Sequence, residues 1–449
     1  MSVVRKRSTE RTGRRVAYLA VAATLLAAPG LAIAGGGFSS PPAFSLKTTV
    51  TITGVPLNSF DISFVNPELH AYTLSDRSNQ AIDVIDTSSK TQSKLAAGQF
   101  AGVVTTLSGV TCPPNSCDGP NGNLSFNNNG VEQVWAGDGP RTGCTARQPL
   151  ASATTTCSTV KVIDFATGAV LHNIPTGGQY RADELCYDPA DHLIQIANDS
   201  DSPPYINYIP TEGPNAYKVV KQINFDGLPG DGPNATNGIE QCQWNARNGM
   251  IYLNVPEVNG NGNDIADGRT LVIDPRKMEI VRTFDIPVGK CAGPQGMAIG
   301  PAPQILLGCN AKGPPTTGTG ASETGTGPQN AAVLDENSGQ LIKVLANQGG
   351  NDEVWFNPGD GLYFLAEGQN AAFEQLGIVN STPIFVSQDV IVAPGGEPGR
   401  AHSVAADPNK NEAYLPIPNN AGSDLCPTAN GCIAVFGTDQ SGKYVYRGQ

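Results

Sequence analysis

One short motif returns seven times along this chain, and this repetition restricts the fold more than any other feature. Each copy has a polar residue at or near its start and continues as an alternating apolar segment that ends in Asn-Pro, Asp-Pro or a related pair. The seven copies are 60–67, 119–126, 181–189, 239–245, 293–301, 351–358 and 400–408. Their aligned positions lie 50 to 62 residues apart, a period typical of one four-stranded blade with its loops. The sequence therefore predicts an all-β chain, a seven-bladed β-propeller of four-stranded antiparallel blades.

The residues between the copies support this fold, because further strand signals follow each copy in the same order. A turn leads to a second strand, as in 71–74 and 251–253. A third strand ends in several blades with an Asp and a turn, as in 84–88, where the carboxylate can accept backbone N–H bonds. We expect 44–52 to pair with the last blade and remove an exposed edge.

The first 34 residues have the pattern of a signal peptide. Six basic residues precede an apolar run over 16–28, and Ala32-Ile33-Ala34 is a small-residue cleavage signal. We expect this segment to be removed and 35–449 to form the single propeller domain, in the periplasm or outside the cell. Ordinary secretion and twin-arginine export both stay open. Loss of the six basic residues and Glu10 would change the formal net charge from −12 to −17, which argues against nucleic acid as a partner.

Ten cysteines support export, since disulfides persist in oxidising compartments. Three pairs are close in sequence and lie in loops rich in Gly, Pro and Asn: Cys112 with Cys117, Cys144 with Cys157, and Cys426 with Cys432. Cys291 and Cys309 could bracket one hairpin, which leaves Cys186 and Cys242 to join neighbouring repeats. An even count fits five bridges, although spacing alone does not prove the connectivity.

Two strand motifs give the chain a family resemblance. The segment Asp83-Val84-Ile85-Asp86-Thr87 and the repeated strand that ends in Asp-Pro resemble the YVTN-type and lactonase-like seven-bladed propellers of bacteria. The resemblance covers nearly all of the chain after the signal segment. It implies the fold well and the function poorly, because propellers host hydrolases, lyases, isomerases, oxidoreductases and binding proteins.

Alignment of the seven copies on their final Pro, or its equivalent, produces a polar column. We call it the outer ring: Asp61, Asn121, Asp183, Glu240, Gln295, Asp352 and His402. The next positions form the inner ring: Ile62, Gly122, Glu184, Gln241, Gly296, Glu353 and Ser403. Innermost strands of a propeller line the central channel, so one column should become one ring at one channel mouth. The alternative is that these polar groups bind loops or channel water.

Crowded carboxylates need a cation or protons to neutralise them, and hard oxygen ligands suit Ca²⁺ or Mg²⁺. Similarity to the gluconolactonase and paraoxonase groups implies a divalent cation, Ca²⁺ in the first place, on Glu, Asn and Asp at the mouth. We assign it to Asp61, Asn121, Glu240 and Asp352. Gln295 and His402 depart from that pattern, so the family's ligand set is not transferred position by position.

Four residues are the catalytic candidates: His402, Asp183, Glu184 and Glu353. His402 is the one histidine of four in the outer ring; beside carboxylates it can be a general base, a metal ligand or a residue that holds a loop. Arg181 and Arg400, each two residues before a ring member, and Gln295 are candidates for substrate binding, or the arginines form local salt bridges.

Two kinds of function are consistent with this ring. One is a metal-assisted enzyme that acts on a small molecule at the mouth, by lactone or ester hydrolysis or by lyase or isomerase chemistry. The other is a non-enzymatic propeller that binds or scaffolds a protein or cell-surface partner. We expect a monomer with no membrane span after cleavage. There is no G-x-S-x-G, Walker, H-E-x-x-H or C-x-x-C-H motif.

Overall fold

Short strands make up most of the protein, and they pair into seven four-stranded antiparallel sheets. The computed structural model describes residues 44–262, 268–287, 289–311, 329–368, 374–381, 387–393, 401–419 and 425–438. The signal segment 1–34 and Arg400 lie outside these residues. Within them there is no α-helix, and one 3₁₀ turn spans Leu150–Ser152. No helix in the described part is long and apolar enough to cross a membrane.

The strands are numbered in chain order, and each sheet is one blade. Strand β1 is Phe44–Thr51. Blade one contains β2 to β5, which are Ser63–Asn66, Ala71–Asp76, Ala81–Asp86 and Gln92–Leu95. A small hairpin follows, made of β6 and β7, which are Thr106–Leu107 and Val110–Thr111. Blade two contains β8 to β11, which are Asn123–Asn128, Val131–Asp138, Thr159–Asp164 and Val170–Pro175. Blade three contains β12 to β15, which are Leu185–Asp188, Leu193–Asn198, Tyr205–Pro210 and Lys221–Asn224.

The remaining blades repeat this arrangement. Blade four contains β16 to β19, which are Cys242–Asn245, Met250–Val255, Arg269–Asp274 and Glu279–Asp285. Blade five contains β20 to β23, which are Ala292–Ile299, Gln304–Ala311, Asn330–Asp335 and Leu341–Ala346. Blade six contains β24 to β27, which are Val354–Asn357, Leu362–Glu367, Glu374–Asn380 and Ser387–Ala393. Blade seven contains β28 to β30, which are Ala405–Asp407, Glu412–Ile417 and Cys432–Thr438, and β1 as its outer strand.

The seven blades close into a ring around their first strands. Each of β2, β8, β12, β16, β20, β24 and β28 contacts the first strand of the next blade, and β28 contacts β2. The predicted repeat is confirmed, since every motif copy contributes the innermost strand of one blade. The expected closure is also confirmed: β1 pairs antiparallel with β30, from Phe44 opposite Thr438 to Thr51 opposite Cys432.

Apolar residues between the blades hold the ring together. Alternation along a strand places side chains on both faces of a blade, and each face packs on a neighbouring blade. Leu124 and Trp135 of blade two pack with Ile194 of blade three, for example. At the closure, Tyr72 of blade one stacks on Tyr414 of blade seven, with ring centroids 5.1 Å apart. Seven such clusters join the seven pairs of neighbouring blades within the described residues.

All five predicted disulfides are present. They join Cys112 to Cys117, Cys144 to Cys157, Cys186 to Cys242, Cys291 to Cys309, and Cys426 to Cys432. The Cys186–Cys242 bridge connects the innermost strands of blades three and four. Five disulfides are consistent with export to an oxidising compartment.

The predicted Asp turns also form. Asp86 accepts backbone N–H bonds from Ser88 at 2.8 Å and Ser89 at 2.6 Å. Asp335 accepts the same kind of bond from Ser338 at 2.8 Å. Each Asp thus caps the turn that connects the third and fourth strands of its blade.

Candidate functional site

Four outer ring residues, Asp61, Asn121, Asp183 and Glu240, occupy equivalent backbone positions. The backbone N–H of Asp61 donates to the carbonyl of Ser75 at 2.9 Å, and that of Asp183 donates to Ala197 at 2.8 Å. Glu240 makes the same bond to Asn254 at 3.0 Å. Each bond links the start of an innermost strand to the end of the second strand, so these residues lie at one end of the channel.

His402 connects two outer ring carboxyl groups from the blades on either side of it. Its Nε2 lies 2.8 Å from Asp61 Oδ1, and its Nδ1 lies 2.5 Å from Asp352 Oδ2. Neutral imidazole has one N–H, and an ionised carboxylate only accepts. Two carboxylate partners therefore favour imidazolium. Burial alone would lower the pKa of His402, but Asp352 and Asp61 outweigh it, so the pKa lies well above its ordinary value.

This geometry gives His402 a different role from that of a base. At neutral pH the ring carries protons on both nitrogens, and both N–H groups donate to carboxylates. In this arrangement neither nitrogen is free to accept a proton or to bind a metal. Of the three roles considered from the sequence, the contacts favour the one in which His402 holds neighbouring elements together. Its side chain keeps 24% of its accessible surface, so it still faces the opening.

Arg77, which sequence reasoning missed, holds Asp61 and Asn121 together. It directly follows β3 and is only 3% exposed. Its Nη2 contacts Asp61 Oδ2, while Nη2 and Nε donate to Asn121 Oδ1 at 2.8 and 3.1 Å. Burial would raise the pKa of Asp61, but the charge of Arg77, followed by His402, holds that pKa well below its ordinary value.

A second arginine neutralises part of blade three. Arg181 Nη2 lies 2.6 Å from Asp183 Oδ2 and 2.9 Å from Asp199 Oδ2. Asp199 directly follows β13 and was also missed. The contacts of Arg181 are those of the salt-bridge alternative. Burial still raises the pKa of Asp183 above its ordinary value, because the charge of Arg181 offsets burial only in part and Asp199 opposes it.

Glu184 and Glu353 of the inner ring meet inside the channel. They come from blades three and six, are each 4% exposed, and hydrogen-bond to one another through their carboxyl groups. Two carboxyl groups make such a bond only when at least one of them is protonated. Burial raises the pKa of both residues well above the ordinary value. The charge of Glu353 raises the pKa of Glu184 further. The hydrogen bond to Glu184 lowers the pKa of Glu353, but this effect is smaller than that of burial.

Glu240 and Gln295 form the contact between blades four and five. Gln295 Nε2 donates to Glu240 Oε1 at 3.3 Å. Burial, followed by the charges of Asp352 and Asp199, raises the pKa of Glu240 well above its ordinary value. Among the described residues, seven carboxyl groups at this mouth face three basic groups, Arg77, Arg181 and His402. The raised pKa values of Glu240 and of the Glu184–Glu353 pair, which have no basic neighbour among these groups, favour retention of protons at those places.

Glycine permits the close approach of blades two and three at this level. A Cβ added at Gly122 of the inner ring would lie 2.4 Å from the carbonyl oxygen of Asp183. A larger residue would force the two innermost strands apart. Because the two strands are this close, the amide of the neighbouring Asn121 can reach blade three, and its Nδ2 donates to the carbonyl of Ala182 at 2.9 Å.

The four residues assigned to a divalent cation do not fit one in this arrangement. Hard cations bind carboxylate and amide oxygens, but Asp61 and Asn121 offer those oxygens to Arg77. Asp352 pairs with His402, and Glu240 accepts from Gln295. Across the described ranges, no group of three or more His, Cys, Asp or Glu side chains is placed to hold a metal. The calcium site stays a prediction.

The arginine at 77 and the aspartate at 199 share a signal that the motif alignment did not include. Strand pairing makes them equivalent positions at the end of the second strand of their blades. The motif column covers only first strands, so it could not contain them. A second column, built on second strands, would have found both residues from the sequence.

Comparisons with known proteins agree on the fold and give no family. No protein-family model matches the chain, and no curated protein matches its sequence. Similar solved structures include Kuenenia stuttgartiensis hydrazine synthase, at 12% identity and TM-score 0.54, covering 87% of this chain and 98% of that chain.

Two further solved structures have the same degree of similarity. A chain of the mitotic checkpoint complex is 12% identical with TM-score 0.52, covering 93% of this chain and 100% of that chain. The Neurospora crassa Pan2 WD40 domain is 10% identical with TM-score 0.52, covering 91% and 99%. At this level of identity the similarity shows the fold alone. The protein is therefore a seven-bladed β-propeller stapled by disulfides.

Proposed function

We propose that this protein is an exported propeller enzyme that acts on a small molecule at the acidic channel mouth by general acid–base catalysis. The observation that carries the proposal is the hydrogen-bonded pair of Glu184 and Glu353 in the channel. With a single proton between them, these two groups would be a carboxylic acid and a carboxylate side by side. Sites that place two carboxyls in such different protonation states can donate and accept protons in one reaction.

Hydrolysis of a lactone or ester is the reaction that the lactonase-like resemblance favours. The carboxylate of the pair would take a proton from water while the water oxygen bonds to the carbonyl carbon. The acid of the pair would give its proton to the oxygen of the C–O bond that breaks. The pair then again holds one proton, so atoms and charge balance over the cycle. Lyase or isomerase chemistry would use the same two groups.

Groups nearer the opening would position the substrate. Arg181 keeps part of its surface beside Asp183 and can donate to a substrate carboxylate or carbonyl. Gln295 Oε1 has no hydrogen-bond partner among the described residues and can accept from a substrate hydroxyl. Arg400, the third residue proposed for substrate binding, lies outside the described residues.

The test compares turnover on a panel of lactones and esters for wild type, Glu184→Gln and Glu353→Gln. Loss of one partner removes the shared proton, so we expect turnover to fall by about 10²–10⁴ in each variant. Glu336→Gln is the matched control. Glu336 is buried like the two pair residues, but it lies outside both rings and pairs with Arg247. Wild-type turnover in either pair variant would exclude the pair from the mechanism.

A binding or scaffold propeller is the second candidate. It is favoured because the basic groups at the mouth already bind carboxyl or amide groups of the protein. Arg77, Arg181 and His402 each bridge carboxyl or amide groups of the protein itself. A ring of this kind can have a purely structural role, in which it holds the blades together. In that case wild type would turn over nothing on the panel. Glu184→Ala would still lower the thermal midpoint, because it would remove the contact between blades three and six.

A further inference from the structure

Arg77 lies between Asp61 and Asn121 and contacts a side-chain oxygen of each. Its guanidinium contacts Asp61 Oδ2 and donates twice to Asn121 Oδ1, at 2.8 and 3.1 Å. These oxygens are a carboxylate and an amide, the two ligand types that Ca²⁺ prefers. The side chain is 4% exposed, so the charge sits inside the protein and not on its surface.

The surroundings fix the guanidinium in this place. The Nδ2 of Asn121 donates to the carbonyls of Asp118 and Ala182, both at 2.9 Å, which turns Oδ1 towards Arg77. The second carboxylate oxygen of Asp61 lies 2.8 Å from His402 Nε2. Both oxygens of Asp61 are thus used by protein cations. A metal could bind here only after displacing Arg77.

A basic residue occurs only once at this position of the seven blades. Strand pairing aligns Arg77 with one residue at the end of each second strand. In blades one to seven these residues are Arg77, Gly139, Asp199, Pro256, Asn310, Gly368 and Pro418. Asp61 and Asn121, the carboxylate and amide that need a shared cation, lie in the same blade and the next one. The single arginine of this position therefore lies in the blade where it can contact both Asp61 and Asn121.

We propose that Arg77 is a built-in replacement for a divalent cation, so that the mouth works without metal and loss of the guanidinium converts it into a calcium site. A planar guanidinium satisfies both oxygens through directed bonds, whereas a spherical cation would satisfy them through coordination. The proposal concerns Asp61, Asn121 and Arg77 and does not depend on catalysis by Glu184 and Glu353.

The experiment measures the thermal midpoint of metal-stripped full-length protein in chelator and in excess CaCl₂. A ligand that binds only the folded state raises its stability. We expect wild type to melt within about 1 °C in both conditions. We expect Arg77→Ala to melt lower than wild type in chelator and to recover several degrees in calcium. Equilibrium dialysis should show about one Ca²⁺ gained per chain in this variant.

Three further variants separate charge from shape. Arg77→Lys keeps a cation and should show no calcium response. Arg247→Ala removes a guanidinium that pairs with Glu336 elsewhere, so it should lose stability without any calcium response. Arg77→Gln keeps hydrogen-bond donors without charge, and it replaces Arg77→Ala in the comparison if that variant does not fold.

Two results would overturn the proposal. One is a Ca²⁺ ion that wild type retains through dialysis, or a wild-type midpoint that falls in chelator and returns with calcium. The other is a calcium response of Arg77→Ala and Arg77→Gln no larger than that of Arg247→Ala. The wild-type measurement needs no variant to fold. Turnover by the Glu184–Glu353 pair is measured separately, so the two proposals can fail independently.

Discussion

Burial raises carboxyl pKa values in this protein outside the channel mouth as well, and Asp83 on β4 is the clearest case. Burial, followed by the neighbouring charge of Asp76, raises the pKa of Asp83 to about 8, although Lys94 opposes the shift. Lys94 Nζ contacts Asp83 and lies 3.3 Å from Asp76 Oδ2. One lysine thus serves two buried carboxyl groups, and one of them keeps its proton.

Asp83→Asn should stabilise the protein at alkaline pH. A folded-state pKa above the unfolded value of 3.8 adds stability at low pH, and this stability is lost as the pH rises through about 8. Asn mimics the protonated acid and leaves Lys94 paired with Asp76. We expect the thermal midpoint at pH 9 to rise by roughly 3–6 °C over wild type, with little change at pH 4.

Asp86→Asn is the control for this pH dependence. Asp86 caps an exposed turn, and backbone N–H bonds from Ser89 lower its pKa. Its stabilising effect is therefore present at neutral pH and lost on acidification, the opposite sign. Unfolding of both variants is followed from pH 4 to 9. A midpoint of Asp83→Asn at pH 9 that is no higher than that of wild type would contradict the protonated state of Asp83.

Single residues of the site were predictable from the sequence where they belong to the repeat. Asp61, Glu240 and His402 share one column of seven copies, so their convergence follows from the symmetry of the fold. Charge compensation was not predictable in the same way, because it depends on partners from other strands. Arg77 lies 44 residues from Asn121 and His402 lies 341 residues from Asp61. For His402 the sequence left three roles open, and only the two carboxylate contacts seen in the structure favour one of them.

At the level of elements, the innermost strands were the easiest to find and the loops the hardest. A first strand is marked by apolar alternation and a terminal Pro, both of which are local signals. The weakest copy, 119–126, contains Gly119 and Gly122, whose role is close approach of neighbouring backbones rather than strand propensity. The hairpin of β6 and β7 has two residues per strand, too few for any periodic signal.

The Cys186–Cys242 disulfide should contribute more to stability than a short-loop disulfide. It closes a loop with a sequence separation of 56, against 6 for Cys426–Cys432. Loop-closure entropy of the unfolded chain grows with the logarithm of loop length, so the two bridges should differ by about 2 kcal/mol. Denaturant unfolding of the paired Cys→Ser variants measures this difference. Equal losses would show that native packing, and not the constrained loop, determines the contribution.

At the scale of the whole molecule, the ring depends on one strand from the N-terminal end of the propeller. Blade seven takes three strands from the C-terminal end and its fourth, β1, from the other end of the domain. Without β1, the backbone groups of β30 would form an open edge that invites pairing with another chain. Val50 and Ile52 would also leave the cluster that joins blade seven to blade one. The loss would therefore affect both a sheet and an interface between blades.

A chain that starts at Thr53 should consequently be less stable and associate, whereas a chain that starts at Phe44 should behave like the longer protein. The two differ only by β1 and Ile52, so the second is a matched control for truncation itself. Size-exclusion chromatography and thermal unfolding measure the outcome. A synthetic peptide of residues 44–52 added to the shorter chain should restore both the elution volume and the midpoint, because it supplies the missing partner of β30. If the shorter chain stays monomeric with an unchanged midpoint, the closure does not hold the ring, and the contacts among the seven innermost strands are sufficient without it.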